Sequence, residues 1–346
     1  MLFRYNVKPL SPLCTELMSD TLFGHFCWAV RYKESEQYLT DLLARYDNHT
    51  PAPVLFSSAF LTGTLPRPTL APLSRRLTSD FVEKHFGKNK QDKFNGLTKI
   101  KKWNQQRHIT VTQWSKLKNG YSTLALYEDF VKQEDSKHKQ GTSTQQETEH
   151  EQAVITEIYQ SNTINRLDGS VLEGGGLFHR KKEWYQTNPD LYVEINAAEL
   201  EPLVNWFLTD YLPATGFGAD KSVGMGHLHI APDSSFNPQS FAINSPDARL
   251  SLSLAAFPDM AEVDAFYRLK TKFGKLGGSY VTYSPTGGPP NPFKKPVLMY
   301  EPGAVFLTAA PLNNRTLLKD VHTDAGIRHC GIPITLPFIL KEASHE

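Results

Sequence analysis

Apolar residues recur along the chain with two spacings, one typical of strands and one typical of helices. Phe3, Tyr5 and Val7 alternate with polar neighbours, which predicts a half-buried first strand. The apolar stripe that follows predicts a helix at 21–32, and residues 53–60 predict a second strand. The remaining elements of this half are a strand at 191–196, a helix at 198–212 and a strand at 227–230.

These elements follow one another as strand, helix, strand, strand, helix and strand once residues 64–190 are treated as an insertion. That order is typical of the ferredoxin-like fold, which RNA-recognition domains also use. The sequence therefore predicts an α+β protein of two ferredoxin-like (RRM-like) domains, 1–232 and 233–346, of which the second is degenerate. Beyond the Ser-, Pro- and Asn-rich linker, the pattern predicts strands at 248–257, 278–284, 295–307 and 330–340 and a helix at 259–274.

The insertion contains a basic segment at 84–118, with nine Lys and one Arg against one Asp. Phe86, Phe94, Trp103 and Trp114 are interleaved with these charges, a mixture typical of surfaces that bind single-stranded nucleic acid. The alternative is a solvated helical insertion whose aromatic side chains anchor it to the core.

The rest of the insertion carries turn and loop signals. Prolines between residues 61 and 73 predict an extended surface loop. Residues 132–152 are polar and of low complexity, which predicts a mobile loop tip. Alternating residues on either side of an Asp168-Gly169 turn then predict a long hairpin over 154–186.

Composition adds few constraints. The 346 residues are 40% hydrophobic with a formal net charge of +1, which supports a substantial core and leaves the question of partners to local patches. Three widely separated cysteines form neither a disulfide framework nor a zinc site, so we expect reduced thiols and a cytoplasmic protein. The first residues lack the apolar run of a signal peptide, and no stretch is long enough to cross a bilayer.

The strongest candidate for chemistry is the stretch TGFGADKSVGMGHLHI at 215–230, which holds four glycines around a Lys-Ser pair. Its spacing excludes a Walker loop, because Asp220 stands directly before the Lys, and it does not match a dinucleotide fingerprint. Glycines let a phosphate-bearing chain lie close to exposed backbone N–H groups. The alternative is a turn whose glycines only satisfy positive φ angles.

Five stretches resemble a known family. SDTLFGHFCWAV at 19–30, LFSSAFLTGTLPRP at 55–68 and GFGADKSVGMGHL at 216–228 carry most of the likeness, and NRLDGSVLEGGGLF at 165–178 and GIRHCGIPITLPFIL at 326–340 add to it. On these residues the chain resembles the repeat-associated RNA-binding superfamily of CRISPR systems. Within that superfamily it is similar to the fourth Csm subunit of type III-A effector complexes.

The resemblance implies a non-catalytic subunit that binds the 5′ handle of the CRISPR RNA, caps the filament of backbone subunits and docks the large polymerase-like subunit. We expect no cofactor, no metal and no membrane. Glycine-loop amides would contact RNA phosphates, Lys221 would add a cation, and Phe217 and Met225 would pack on a splayed base. The hairpin with Asn165 and Arg166 would be a thumb-like element. The residues expected to bind RNA are His25, Arg67, Asn165, Arg166, Gly216, Phe217, Gly218, Lys221, Ser222, Gly224, Met225 and Gly226.

An RNA-cleaving enzyme on the same fold is the alternative function, with His25 as general acid or base. No second catalytic partner accompanies His25 in the sequence, and a helical His between Gly24 and Phe26 is more often a core or interface residue. His227 and His229 share a strand face, but no Cys or carboxylate at ligand spacing accompanies them. A protein–protein scaffold without RNA contact is a third possibility, against which the glycine loop and the basic segment both argue.

Overall fold

The computed structural model describes residues 1–48, 50–139, 153–171, 176–281 and 291–341. Within them the chain is an α+β protein built from several small antiparallel sheets. Residues 140–152, which hold most of the predicted mobile loop tip, lie outside the described residues.

The helices either connect strands of the first sheet or lie in the insertion. In the first helix Leu22, Phe26 and Val30 are buried, so the predicted apolar stripe is confirmed. Among the described helices, none has an apolar stretch long enough to cross a membrane. The helices are α1 (Ser19–Lys33), α2 (Glu36–Ala44), α3 (Arg75–His85), α4 (Lys90–Gln105), α5 (Val111–Leu117), α6 (Thr123–Lys139), α7 (Glu201–Trp206) and α8 (Leu212–Thr215), with a π-helical turn (Phe207–Tyr211) joining the last two.

The strands are short and pair antiparallel throughout the named sheets. They are β1 (Leu2–Pro9), β2 (Val54–Phe56), β3 (Phe60–Leu61), β4 (Thr64–Pro66), β5 (His108–Thr110), β6 (Val154–Asn162), β7 (Leu177–Tyr185), β8 (Pro189–Ile195), β9 (Leu228–Pro232), β10 (Ala248–Ser251), β11 (Ala265–Phe266), β12 (Leu269–Lys272), β13 (Val297–Tyr300), β14 (Val305–Phe306) and β15 (Thr335–Phe338).

The largest sheet has the strand order β2-β8-β1-β9, and β3 also pairs with β8. Its central strand β1 buries Tyr5 and Val7, as the alternation predicts. The connections run strand, helix, strand, strand, helix, strand, because α1 joins β1 to β2 and the α7–α8 unit joins β8 to β9. This arrangement places the segment after β1, the middle of α1 and the end of α8 around the glycine-rich stretch.

The linker after β9 covers part of this sheet. The sequence pattern assigns Tyr192 to the polar face of its strand, but the structure buries it completely. Phe236 and Phe241 of the predicted linker pack against the Tyr192 ring, with centroids 5.7 and 6.0 Å away. The segment is therefore a structural cover for the sheet.

Within its described residues, the second half has more strands than predicted, and each of them is shorter. Residues 259–274 are not a helix: they form a 3-10 turn (Met260–Glu262) followed by β11 and β12. The described part of the expected strand at 278–284 is a 3-10 turn (Gly278–Val281), and residues 282–284 lie outside the described residues. The helix prediction is wrong because β11 pairs with β14 and β12 with β13, and such tertiary pairing overrides a weak helical spacing. The predicted strands around β10, β13, β14 and β15 are confirmed.

The two halves share one hydrophobic cluster. Leu250, Leu336 and Phe338 of the second half belong to the same cluster of buried side chains as Tyr5 and Phe26 of the first half. Part of the predicted surface loop at 61–73 also enters this cluster, because Leu65 of β4 is fully buried and β4 pairs with β5.

Candidate nucleic-acid interface

The glycine loop connects α8 to β9, so the predicted order of helix, glycine loop and strand is confirmed. Its backbone is left-handed at five positions, with φ between 61° and 85° at Gly216, Gly218, Asp220, Gly224 and Gly226. Left-handed φ is readily adopted by glycine and strained for most other residues. The four glycines are thus required by the shape of the loop itself.

Three of these glycines are also packed against the rest of the protein. A Cβ on Gly226 would overlap the carbonyl oxygen of Phe217, and one on Gly218 would lie 2.6 Å from the Cβ of Thr15. A Cβ on Gly216 would lie 3.0 Å from the Cβ of Lys221. At Gly224 a Cβ would meet no atom within 4 Å, so this glycine faces open space.

The glycine amides do not lie free for a ligand, which corrects the expectation that they contact phosphates. Gly216 donates to the Leu212 carbonyl, Gly226 to the Pro12 carbonyl at 2.9 Å, and Gly224 to the Lys221 carbonyl. Gly218 donates to Nε2 of His25 at 3.1 Å. These hydrogen bonds hold the loop in shape, because each satisfies a backbone donor within the protein.

The free donors lie instead at the tip of the loop. No hydrogen bond is found for the amides of Asp220, Lys221 and Ser222 within the described residues. Asp220 is left-handed and a right-handed 3-10 turn follows it, an alternation that points successive N–H groups into one concavity suited to an anion. Lys221 and Ser222 are exposed there, and Arg180 pairs with the Asp220 carboxylate at 2.7 Å. The tip therefore presents three donors and an unneutralised ammonium.

His25 and Phe217 tie the loop to α1. Their rings lie with centroids 4.9 Å apart, and Phe217 is completely buried. This burial disagrees with the prediction that the Phe217 ring packs on a base, because no face of the ring reaches the surface. Burial, helped by the nearby charge of Lys221, lowers the pKa of His25 to about 4, so its unprotonated Nε2 accepts the Gly218 N–H.

Acidification is expected to weaken the fold through His25. Its folded-state pKa of about 4 is below the ordinary 6.5, so the unfolded chain binds an extra proton between these values. The stabilisation, up to about 3 kcal/mol, is complete above the ordinary pKa and is lost as the pH falls towards the lowered value. The free energy of unfolding, measured with urea at several pH values in this interval, should depend less steeply on pH in His25→Gln. The slope against pH should be smaller by up to about one proton, because the glutamine amide oxygen accepts the hydrogen bond but does not titrate.

His227→Gln, the same substitution at an exposed histidine, is measured alongside as the control. An unaltered slope in His25→Gln would mean that this imidazole titrates normally in the folded chain. Burial also lowers the pKa of His329 to about 4. His329→Gln should therefore reduce the pH dependence of the free energy of unfolding in the same direction as His25→Gln.

The predicted hairpin is confirmed as β6 and β7, and its base is fixed beside the glycine loop. Leu13, in the segment before α1, exchanges two backbone hydrogen bonds of 2.9 Å with Glu183. Asn165 and Arg166 lie at the opposite end, six and seven residues beyond Tyr159, which is the partner of Arg180 across the hairpin. Six residues of extended strand span about 20 Å. The structure therefore does not bring these two residues together with the loop tip.

Two further predicted features are placed by the structure. His227 and His229 are exposed while Leu228 and Ile230 are buried, as the alternation predicts. Among the described residues no group of three or more His, Cys, Asp or Glu is arranged to hold a metal ion. Arg67 lies in the insertion, where its guanidinium donates to the Trp103 carbonyl.

Part of the positive charge of the basic segment is paired with carboxylates. Trp103 and Trp114 are 4% and 0% exposed and belong to the core cluster, while Phe94 is 65% exposed. Lysines of the segment pair with acidic residues outside it, as in Lys93–Glu83 and Lys99–Glu134. The anchored helical insertion therefore describes this segment better than a stacking surface does.

Sequence reasoning missed the residues that support the loop from other elements. Thr15 accepts from the Ala219 amide, Ser11 accepts from the His227 amide, and Arg180 holds Asp220. No periodicity or motif marks these positions, because their importance comes from contacts between segments far apart in the sequence.

Comparison with known proteins rests on the fold. No protein-family model matches the chain, and no curated protein sequence matches it. Solved structures do match. A chain of the "Csm1-Csm4 cassette in complex with pppApA" is 12% identical with a TM-score of 0.52, covering 99% of this chain and 100% of that one. A chain of the "Csm3-Csm4 subcomplex in the type III-A CRISPR-Cas interference complex" is 11% identical with a TM-score of 0.56, covering 97% and 99%. Over nearly its whole length, the chain therefore has the fold of the Csm4 subunits solved in these assemblies.

Proposed function

We propose that the chain is a non-catalytic subunit of a type III-A CRISPR interference complex. In that complex it binds the 5′ handle of the CRISPR RNA, caps the filament of backbone subunits and docks the large polymerase-like subunit. The observation that carries the proposal is the match of fold along almost the entire length of both chains. Full coverage in both directions argues against a shared generic domain, since the insertion and both halves take part.

The partners follow from the assemblies in which the matched chains were solved. One assembly pairs Csm4 with Csm1 and the other pairs it with Csm3. We infer that this chain likewise contacts one large subunit and one backbone subunit. The finer description of the fold belongs to the same proposal: the β2-β8-β1-β9 order supports a ferredoxin-like first domain, and the four-stranded sheet around β10 is interpreted as its degenerate counterpart.

The RNA contact is proposed at the tip of the glycine loop. A small site for a phosphate group is formed by the three amides of the loop tip that have no hydrogen-bond partner among the described residues, together with the Lys221 ammonium and the Ser222 hydroxyl. Single-stranded RNA is commonly held through its backbone and by stacked bases, and we propose that the half-buried Met225 packs on a base.

A non-catalytic role is proposed because His25 is poorly suited to acid–base chemistry. Its Nε2 is occupied by the Gly218 amide, and its pKa of about 4 leaves it unable to donate a proton near neutral pH. The contacts of this imidazole are structural, and we assign it to holding the glycine loop.

Affinity purification of the tagged chain from its host, followed by sequencing of the bound RNA, tests the function. We expect enrichment of CRISPR RNAs that share one 5′ end, together with a large and a backbone subunit. The purified chain should also bind single-stranded RNA with an affinity that falls steeply as salt rises, because counterions are released on binding. Shortened RNA products would favour the endoribonuclease instead, and co-purified subunits without any RNA contact would favour a scaffold.

A further inference from the structure

Three arginines from different parts of the chain meet where the insertion joins the second half. The amide of Arg67 donates to the carbonyl of Arg107 at 2.8 Å, which joins the ends of β4 and β5. The amide of Glu301 donates to the carbonyl of Arg268 at 2.8 Å, which brings the end of β13 beside the residue preceding β12. These two pairs of residues are packed together by the turn at Gly303.

The turn makes this junction rigid. Gly303 has φ 96°, its carbonyl accepts from the Thr69 amide at 2.7 Å, and a Cβ on it would lie 2.6 Å from the carbonyl oxygen of Arg67. Only glycine permits so close an approach of two backbones. The junction therefore fixes the backbone segments from which the three arginines project.

Positive charge at the junction exceeds negative charge. Glu301 is the carboxylate that pairs there, and it contacts Arg107 only at 3.7 Å. No hydrogen bond or ion pair of the Arg268 guanidinium is found among the described residues, and the side chains of Arg107 and Arg268 are exposed. Partial desolvation lowers the pKa of Arg268, and repulsion from Arg107 and Arg67 lowers it further, against the attraction of Glu301. Clustered guanidiniums with too few carboxylates favour a bound anion.

An aromatic platform adjoins the cluster. The rings of Tyr267 and Tyr300 are stacked with centroids 3.7 Å apart and planes within 5° of parallel. Tyr267 directly precedes Arg268 and is 44% exposed. A fixed ring with an open face beside guanidiniums is the combination that single-stranded nucleic acids use, with a base on the ring and a phosphate on the cation.

We propose that Arg107 and Arg268, positioned by Arg67, form a second RNA-binding site that takes a backbone phosphate while Tyr267 stacks on an adjacent base. This inference rests on the proposed RNA-binding function and extends it to a surface separate from the glycine loop. Arg67 is a positioning residue, because its guanidinium is directed to the Trp103 carbonyl and to Asn104.

The test measures binding of a labelled polyuridine of about 20 nucleotides to the full chain over a series of salt concentrations. Arg107→Gln/Arg268→Gln should bind at least about 10-fold more weakly and lower the salt slope by about 0.7, the value for one lost phosphate contact to a single strand. Arg107→Lys/Arg268→Lys should retain most of the slope. Tyr267→Ala should weaken binding without changing the slope, since stacking releases no counterions.

The matched control removes two arginines that already have carboxylate partners. Arg31→Gln/Arg45→Gln breaks the pairs with Glu36 and Glu199 and should leave the slope near that of the unaltered chain. If the cluster variant binds as this control does, the second site is wrong while the proposed function stands. If it binds RNA normally but loses a co-purified subunit, the cluster docks an acidic protein instead. If the unaltered chain shows no salt-dependent binding, the proposed function fails and this site with it.

Discussion

Gly226→Ala is expected to destabilise the chain by about 3 kcal/mol or more, whereas Gly224→Ala should cost only about 1–2 kcal/mol. Both residues are left-handed, with φ 71° and 85°, so alanine is strained at either position. They differ in their surroundings: a methyl group on Gly226 would overlap the Phe217 carbonyl, while one on Gly224 would enter open space. The difference in free energy of unfolding between the two variants therefore measures the cost of displacing the backbone, because the cost of a left-handed φ for alanine is common to both.

Thermal or urea unfolding of the two purified variants provides the measurement. The overlap at Gly226 also threatens the pair of hydrogen bonds by which Phe217 donates to Gly226 and Gly226 donates to Pro12. Equal destabilisation by the two substitutions would show that the loop can relax around an added methyl group, and that the loop's shape does not depend on this contact.

Lys221→Glu is expected to weaken the binding of single-stranded RNA by at least about 10-fold while leaving the unfolding midpoint nearly unchanged. Lys221 is exposed, has no carboxylate partner among the described residues and lies beside the three free amides of the loop tip. The new carboxylate would repel the phosphate that these amides are proposed to hold. The salt slope should also fall by about 0.7, the value for one phosphate contact to a single strand.

Lys101→Glu is the matched control, because it makes the same charge change at an exposed lysine of α4. It should leave affinity and slope close to those of the unaltered chain. If both lysine variants weaken binding equally, the effect comes from net charge and the loop tip is not a specific contact. If only the control weakens it, the basic segment is the principal RNA surface.

The regular elements of the first half could be predicted from local spacing, because a strand or helix with one buried face has apolar residues at periodic positions. Tyr5 and Val7 on β1, and the stripe of α1, are such residues. The same reasoning failed over residues 259–274, where short strands find their partners in β13 and β14. A two- to four-residue strand is too short to carry a period, and only its distant partner defines it.

The sequence alone predicted the order of helix, glycine loop and strand and the Lys-Ser pair within that loop, because motifs and periodicity are local properties. It could not predict which amides stay unpaired, because Pro12, His25 and Thr15 reach the loop from segments some two hundred residues away in sequence. In the folded protein the glycine amides are hydrogen-bonded within the chain, and the unpaired amides are those of Asp220–Ser222 at the loop tip. Folding also brought Arg107 and Arg268 near each other, although no sequence spacing connects them. Arg107 is hydrogen-bonded to Arg67, Arg268 is hydrogen-bonded to Glu301, and the turn at Gly303 packs against Arg67.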